Sequence, residues 1–510
     1  MSKQYHIPSS CLGRTMPNHS NARNARNKTT LSLSLAILII IMDMSGLAGL
    51  ASEDTLSEEQ KSMETISSNG VWSSYENTNL LNSTLSVGPD HSCMVVTNSS
   101  IYCWGYGNSG TLGVASGPDD NYGFSSGTPR LVHFPSPAHS TVSYSTLAVA
   151  VSVGLEFSCA LMDDGTVVCW GDAEHGKARG DLGSGFSDVL HPEAEIPLGD
   201  AAVSMTTGKQ HACAALENGS VYCWGWGYYG QMGNGLTPQE PNSVSQVNLP
   251  ASLSATSVHS DADSDSTCAI MSDDSVWCWG YNRYGNLGDG TVCTGQSFLN
   301  GCNGHYGKST PVEVSVLPSY FIPIKIQMSN GQTCFLSTSY DIRCIGNTQP
   351  SWSRNNNGAT TSSSITGLLN IQALDFSMTQ EHICILEKDT FNLLCAGEAL
   401  TIGTNTSNLQ YFLEDWGTSS TNTPLYQANP QNTFPTSISL RNDGGCRILD
   451  NATVECWGNN YYGDVGNGSV GSYIYLLSPT LVIGNHNIKV SNVDDDFDGI
   501  ISQFDNCPVG

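Results

Sequence analysis

Residues 208–235 read GKQHACAALENGSVYCWGWGYYGQMGNG. Two short apolar stretches flank Asn218-Gly219, which is a hairpin signal. With Glu217, Asn218 and Gly219 as a three-residue loop, Leu216 faces Ser220, Ala214 faces Tyr222 and Cys213 faces Cys223. Such a loop wants a type I turn ending in a left-handed residue, and Gly219 supplies it. Counted from a hydrogen-bonded closing pair, Cys213 and Cys223 form a non-hydrogen-bonded pair, whose Cα atoms lie ~4.5 Å apart, within disulfide range.

The same unit recurs. Fourteen of the 18 cysteines form seven regular pairs: Cys93 with Cys103, Cys159 with Cys169, Cys213 with Cys223, Cys268 with Cys278, Cys334 with Cys344, Cys384 with Cys395 and Cys446 with Cys456. Six pairs are ten residues apart and one is eleven, and internal periodicity of this kind governs the fold. The second copy has Asp164-Gly165 at the turn, the fourth Asp273-Asp274 and the seventh Asn451-Ala452. Buried free cysteines packing as small hydrophobes are the alternative reading. The repeated cross-strand register, together with the leader described below, favours disulfides. Zinc ligands sit closer in sequence and converge in fours, and there is no Cys-x-x-Cys for redox work. Cys293 and Cys302 share a Gly-rich insertion and are expected to pair, which leaves Cys11 in the leader and Cys507 odd.

Behind most second cysteines comes a Trp-Gly step, at Trp104, Trp170, Trp224, Trp279 and Trp457, followed by glycines at fixed offsets. Trp and Cys alternate faces of the strand, so the Trp is placed to pack between adjacent sheets. Trp226, Tyr228, Tyr229, Tyr461 and Tyr462 fall just beyond, in the loop half of the unit, and are the candidate binding aromatics. His91 and His211 recur at one position and are expected to hydrogen-bond within their blades.

The pattern H-x-C-A-L-x-x-G-x-V-x-C-W-G-x-x-x-x-G-x-x-G resembles the repeat of the regulator of chromosome condensation family. Copies 91–113, 157–176, 211–235, 268–290 and 446–468 match well. Copy 334–346 loses the Trp and the later glycines, and copy 384–397 has Ala396 in place of the Trp. The resemblance covers roughly 71–490 and implies an all-β, seven-bladed β-propeller, here with one disulfide-linked hairpin per blade. It also implies a last blade that combines strands from both ends of the domain.

Composition agrees with such a chain. Of 510 residues, 52 are Gly and only 13% are charged, against ~25% on average, while 39% are hydrophobic, enough for a core. Residues 1–28 carry Lys3, Arg14, Arg23, Arg26 and Lys28 and no acid, and an apolar run Leu31–Met42 and small residues follow. This reads as a secretory signal over 1–51; its uninterrupted run is shorter than the ~20 residues that span a bilayer. Cleavage near Ala51 is favoured, and retention as a signal anchor, the one membrane attachment considered, stays open. Removing 1–51 takes five bases and one acid from a chain of 46 acids and 19 bases, so the net charge moves from −27 to −31. That argues against a nucleic-acid-coating protein. Residues 52–70 read as an acidic linker and 71–490 as the propeller.

The end, 491–510, resembles a thrombospondin type 3 repeat in NVDDDFDGIISQFDNCPVG. Asp494, Asp496, Asp498 and Asp505 are spaced as hard oxygen ligands for a structural Ca²⁺, although Ser502 stands where that family usually has another Asp. The run Asp261-Ala262-Asp263-Ser264-Asp265 reads as a solvated loop. Nucleotide, zinc-protease and serine-hydrolase motifs are absent. The expected function is a non-catalytic, secreted or cell-surface module binding an extracellular or surface protein, with glycan binding next. A hydrolase or lyase with a loop-built site and an exchange-factor-like activity are further alternatives, the last disfavoured by export and charge. Asn-x-Ser/Thr sequons include Asn82, Asn98, Asn218, Asn405, Asn451 and Asn467.

Overall fold

The hairpin of the third repeat pairs strand His211–Leu216 with Val221–Gly225, with Cys213 opposite Cys223 and Ala214 opposite Tyr222. Gly219 closes the turn at φ 81°, donating its N–H to the Leu216 carbonyl. Where no glycine is available the same left-handed position is taken by Ser99, Asp274, Tyr340 and Ala452. In this computed structural model the described residues are 83–114, 125–134, 147–180, 187–236, 242–295, 298–329, 331–346, 363–364, 372–380, 382–388, 393–397, 435–471, 475–484 and 488. The leader, the acidic linker and the C-terminal segment with Asp494, Asp496, Asp498, Asp505 and Cys507 lie outside them.

Each hairpin gains a strand before it, and most gain one after it, to give seven antiparallel sheets of three or four strands. The first strands are Leu85–Val87, Ala148–Val153, Ala202–Thr207, Ala255–His259, Pro323–Ser329, Ala373–Met378 and Pro435–Arg441. Each touches the next, and the seventh touches the first, so they form a closed ring. Residues of all seven line a central cavity of about 380 Å³. The molecule is a seven-bladed β-propeller. Among the described residues each sheet uses consecutive strands, and none of the seven sheets combines strands from both ends of the chain. The ring closes by packing of the first inner strand on the seventh, and Ile488, paired with Val96, also donates its N–H to the Ala452 carbonyl at 3.1 Å.

The second strands, HSCMV, FSCALM, HACAAL and STCAIM among them, are buried along their whole length because sheets stack on both faces. Small Ser, Ala and Cys there let neighbouring sheets approach to the usual ~10 Å.

All seven expected hairpin cystines form. Cys93 is bonded to Cys103, Cys159 to Cys169, Cys213 to Cys223 and Cys268 to Cys278. Cys334 is bonded to Cys344, Cys384 to Cys395 and Cys446 to Cys456. In every case the two residues are direct cross-strand partners, including Cys384 and Cys395, where the additional residue is absorbed in the turn. Their Cα atoms lie 4.0–4.1 Å apart, closer than the ~4.5 Å expected of an unlinked pair, since the covalent bond draws the strands together. Cys103, Cys169, Cys278, Cys344, Cys395 and Cys456 are buried like their partners, so these cystines belong to the blade cores and not to a surface. Cys293 and Cys302 pair as expected, spanning 5.6 Å in the blade 4 insertion.

Three kinds of hydrogen bond recur at the blade junctions. Trp170 Nε1 donates back to the Thr111 carbonyl of the preceding blade at 2.9 Å, Trp224 to Lys177 at 3.1 Å, Trp279 to Gln231 at 2.8 Å and Trp104 to Asp464 at 3.0 Å. The recurring histidines reach forward rather than within their own blades: His91 Nε2 meets Ser158 Oγ and His211 Nε2 meets Thr267 Oγ1, both at 2.7 Å. The strand carrying the His is sandwiched, so its nearest polar partner lies on the next sheet. Burial pushes both imidazoles down to about 3, so they stay neutral.

The third bond runs around the cavity. Val153 N–H donates to Ser86 Oγ (3.0 Å), Thr207 to Ser152 (3.0 Å), Ser260 to Thr206 (2.9 Å) and Met328 to Asp261 Oδ2 (2.6 Å). Met378 then donates to Gln327 Oε1 (3.3 Å), Leu440 to Ser377 (3.1 Å) and Val87 to Ser439 (3.1 Å), completing the circle. Inner strands have no sheet partner on their channel side. These side chains satisfy amides that would otherwise be buried edges.

Candidate binding face

The third strand of five blades ends in a Trp-Gly step whose glycine turns the chain out of the sheet. Gly225 has φ 99°, and a Cβ there would lie 2.6 Å from the Gln210 carbonyl. That carbonyl instead accepts the N–H of Trp226. Asp90 takes Tyr106, Glu156 takes Asp172, Asp265 takes Tyr281 and Asp443 takes Asn459 in the same way. The loops after the third strands therefore rise beside the turns that lead from first to second strand, all at one end of the propeller. The hairpin tips lie at the other end.

The aromatic candidates sit on this loop face in two groups. Trp226 and Tyr228 lie with rings 5.6 Å apart and within 7° of parallel, and Tyr229 stands edge-on to both. The sequence reading missed how far this group extends. His175 of blade 2 stacks on Trp226, Tyr229 meets Tyr281 of blade 4 at 5.1 Å, and Tyr281 meets Tyr284. The disulfide-closed insertion adds His305 against Tyr228 at 4.6 Å and Tyr306 under the Arg283 guanidinium at 5.2 Å. The result is an aromatic ladder across three blades, with Tyr228 and Tyr306 on its exposed side. Tyr461 and Tyr462 are elsewhere on the face, with Tyr106 of blade 1 at 4.8 Å from Tyr462. The available signal was repeat position: His175, Tyr281 and Tyr106 all follow a Trp-Gly step at short, recurring offsets.

Buried polar side chains pin these loops. Gln231 Oε1 accepts the Tyr229 N–H at 2.8 Å and its Nε2 donates to Asp265 at 3.3 Å. Burial pushes the Asp265 carboxyl up to about 6, against the opposing pull of Lys209. Burial likewise pushes the Tyr281 phenol up to about 12, so it remains a neutral donor. Asp464 is pushed up to about 6 by burial, with Arg441 pulling the other way. Arg441 is fixed on Asp443 at 2.9 Å and on the Asn459 carbonyl at 2.6 Å.

The acid run at 261–265 is not a solvated loop. Asp261 holds the Met328 amide and Asp265 holds Gln231, because the loop folds over the cavity mouth and is drawn into two blade junctions. Among the described residues no three of His, Cys, Asp or Glu converge to hold a metal. A Ser257–His259 pair at 2.9 Å offers no accessible nucleophile: Ser257 is wholly buried, and burial drives His259 down to about 3. Within the cavity, Lys325 is held by Asp375 at 2.5 Å. The loop face is equipped to bind by stacking, edge contacts and phenol hydrogen bonds.

A ring of seven antiparallel sheets defines a β-propeller, and several of its blades are similar to the regulator of chromosome condensation (RCC1) repeat. The family's repeat models match residues 148–177, 202–231, 264–286 and 218–262. Mouse (Mus musculus) E3 ubiquitin-protein ligase HERC2 is 30% identical over 211 residues, 41% of this chain but 4% of its own length. Ultraviolet-B receptor UVR8 of Arabidopsis thaliana is 26% identical over 214 residues, 40% of this chain and 42% of its own. The matched stretch spans less than half the length of these curated relatives. Among solved structures, Prp20p of Saccharomyces cerevisiae superposes with a TM-score of 0.60 at 18% identity, covering 81% of this chain and 89% of its own. Human WBSCR16 gives 0.59 at 16%, covering 78% and 95%. These likenesses concern the fold.

Proposed function

We propose that this chain is an exported propeller that binds an extracellular or surface protein through its loop face, without catalysis. The observation that carries the reading is the aromatic ladder from His175 to Tyr284, built across three blades and pinned from beneath by Gln231. Aromatic side chains dominate binding hot spots because they offer large contact area at low entropy cost. Eight cystines fit an oxidising compartment, and the leader over 1–51 fits export. Asp494, Asp496, Asp498 and Asp505 would hold a structural calcium in the tail.

A photo-reactive phenylalanine at Tyr228 in the secreted protein, displayed to intact cells, should give discrete covalent adducts. The same group at Asn98, on the opposite end, should give none. Equal labelling from both positions would remove the loop-face assignment.

Glycan binding is the second reading, favoured by the near-parallel Trp226 and Tyr228 rings. Binding to a neutral oligosaccharide array, lost in Trp226→Ala, would select it. Prp20p is described as binding Gsp1p and histones, and a mouse relative is a secretion-regulating guanine nucleotide exchange factor. A cytosolic exchange role for this chain is disfavoured, since one cystine per blade does not persist in a reducing compartment.

A further inference from the structure

The hairpin tips, at the end opposite the aromatic ladder, carry a second regularity. In five blades the residue at the tip turns its Oδ1 back onto the amide two residues on. Asn98 accepts from Ser100 at 3.0 Å, Asp164 from Thr166 at 3.0 Å, Asn218 from Ser220 at 2.9 Å, Asp273 from Ser275 at 3.0 Å and Asn451 from Thr453 at 3.1 Å. In the last four the Ser or Thr hydroxyl donates to the same oxygen at 2.6–2.7 Å. The turn needs only that oxygen, so Asp and Asn serve it equally. Where it is Asn, the amide nitrogen is left over. The Nδ2 atoms of Asn98, Asn218 and Asn451 take no hydrogen bond among the described residues, and all three side chains are exposed.

We infer that Asn98, Asn218 and Asn451 are N-glycosylation sites, so that the hairpin face is the glycan-bearing face of the propeller. All three are Asn-x-Ser/Thr with a small middle residue, Ser99, Gly219 or Ala452. A sugar on Nδ2 extends outward from the tip and breaks none of the turn's hydrogen bonds. The donor is a lipid-pyrophosphate-linked oligosaccharide. Its anomeric C1–O bond breaks, a C1–Nδ2 bond forms, Nδ2 gives up one proton, and the lipid pyrophosphate leaves with the electron pair. Asn467 differs: it is half-buried and its Oδ1 also takes the Asn460 amide, so it is not included. Asn82 and Asn405 fall outside the described residues. Bulky glycans on this end direct partners to the aromatic end. The inference rests on the export reading above.

The test uses the full chain secreted from a eukaryotic cell line. Its disulfides are mapped without reduction, and peptide N-glycosidase in heavy-oxygen water then tags each formerly glycosylated Asn as a labelled Asp. At least two of Asn98, Asn218 and Asn451 are expected to carry the tag. The triple variant N98D/N218D/N451D should be secreted at unchanged yield and untagged, because Asp164 and Asp273 already serve the same turn. Secreted protein with the Cys213–Cys223 link intact but one or none of the three tagged overturns the inference while leaving export standing. Chain retained inside the cell with free thiols removes both.

Discussion

Replacing Asp261 by Asn is expected to stabilise the propeller above neutral pH and to leave it nearly unchanged in acid. Asp261 is the single carboxylate in the circle of side chains that caps the inner-strand amides. Burial raises its pKa from 3.8 to about 7; the Met328 amide and Lys325 pull it down, and Asp263 pushes it up further. An acid whose folded pKa is raised is costly to ionise in the native state. Below about 4 both states hold the proton and the cost vanishes. It grows between about 4 and about 7 and is complete above that. Three units at about 1.4 kcal/mol each give a ceiling of about 4 kcal/mol. Asp261 is partly open at the cavity mouth, so solvent screening reduces this to about 2 kcal/mol. Asn keeps an oxygen for the Met328 amide, so the hydrogen bond survives. Urea unfolding of the disulfide-intact protein, followed by fluorescence of the buried tryptophans, measures the difference between variant and parent. Asp265 and Asp464 titrate in the same window, but in both proteins, and cancel in that difference. A variant no more stable than its parent at pH 8, or a difference of equal size at pH 4 and pH 8, would refute the argument.

Ser439→Ala strands the Val87 amide at the junction that closes the ring, and should cost about 1–3 kcal/mol in the same unfolding assay. Trp224→Ala removes a fully buried indole between blades 2 and 3 and leaves the Lys177 carbonyl unpaired; the expected loss is about 3–5 kcal/mol by thermal or urea unfolding. Cys213→Ala with Cys223→Ala opens a closure of sequence separation 10, and chain entropy predicts a loss of about 2–3 kcal/mol with the fold retained by circular dichroism.

The hairpins were legible because they are local. Period-two alternation and a turn of fixed length place Cys213 opposite Cys223 without knowledge of anything distant. The circle of caps was not read, yet its signal is present. Ser86, Ser152, Thr206, Asp261, Gln327, Ser377 and Ser439 each stand seven residues before the first cysteine of their repeat. In six of the seven sheets that residue lies directly across from the cysteine, as Ser86 does from Cys93. Cross-strand neighbours point to the same side of a sheet. Both therefore face the next blade, and only there is an unpaired inner-strand amide within reach. The exception, blade 4, gives that place opposite its cysteine to His259 and uses Asp261 from the following loop. Of the loop-face aromatics, Trp226, Tyr228, Tyr229, Tyr461 and Tyr462 were legible in sequence, whereas His175, Tyr281, Tyr284, His305, Tyr306 and Tyr106, and the grouping itself, were not. Neighbourhood on the loop face is set by which blades touch, and Tyr106 reaches Tyr462 only because the ring closes.

The junctions constrain the side chains of the loop face less than those of the ring. Trp104, Trp170, Trp224 and Trp279 each donate to a backbone carbonyl, and the residue owning that carbonyl is Asp464, Thr111, Lys177 and Gln231 in turn. A carbonyl acceptor places no demand on the side chain. Lys177 is free to hold Asp172, and Gln231 is free to hold the Tyr229 loop. Blade 5 tests this logic, since Ile345 replaces its Trp. The equivalent carbonyl, that of Asn286, still receives a hydrogen bond at 2.8 Å, now from Thr333 Oγ1. The acceptor is constrained and the donor is exchangeable. A repeat built on that rule tolerates substitution in the loops above its junctions, so partner choice must be argued from those loops and not from the repeat that carries them.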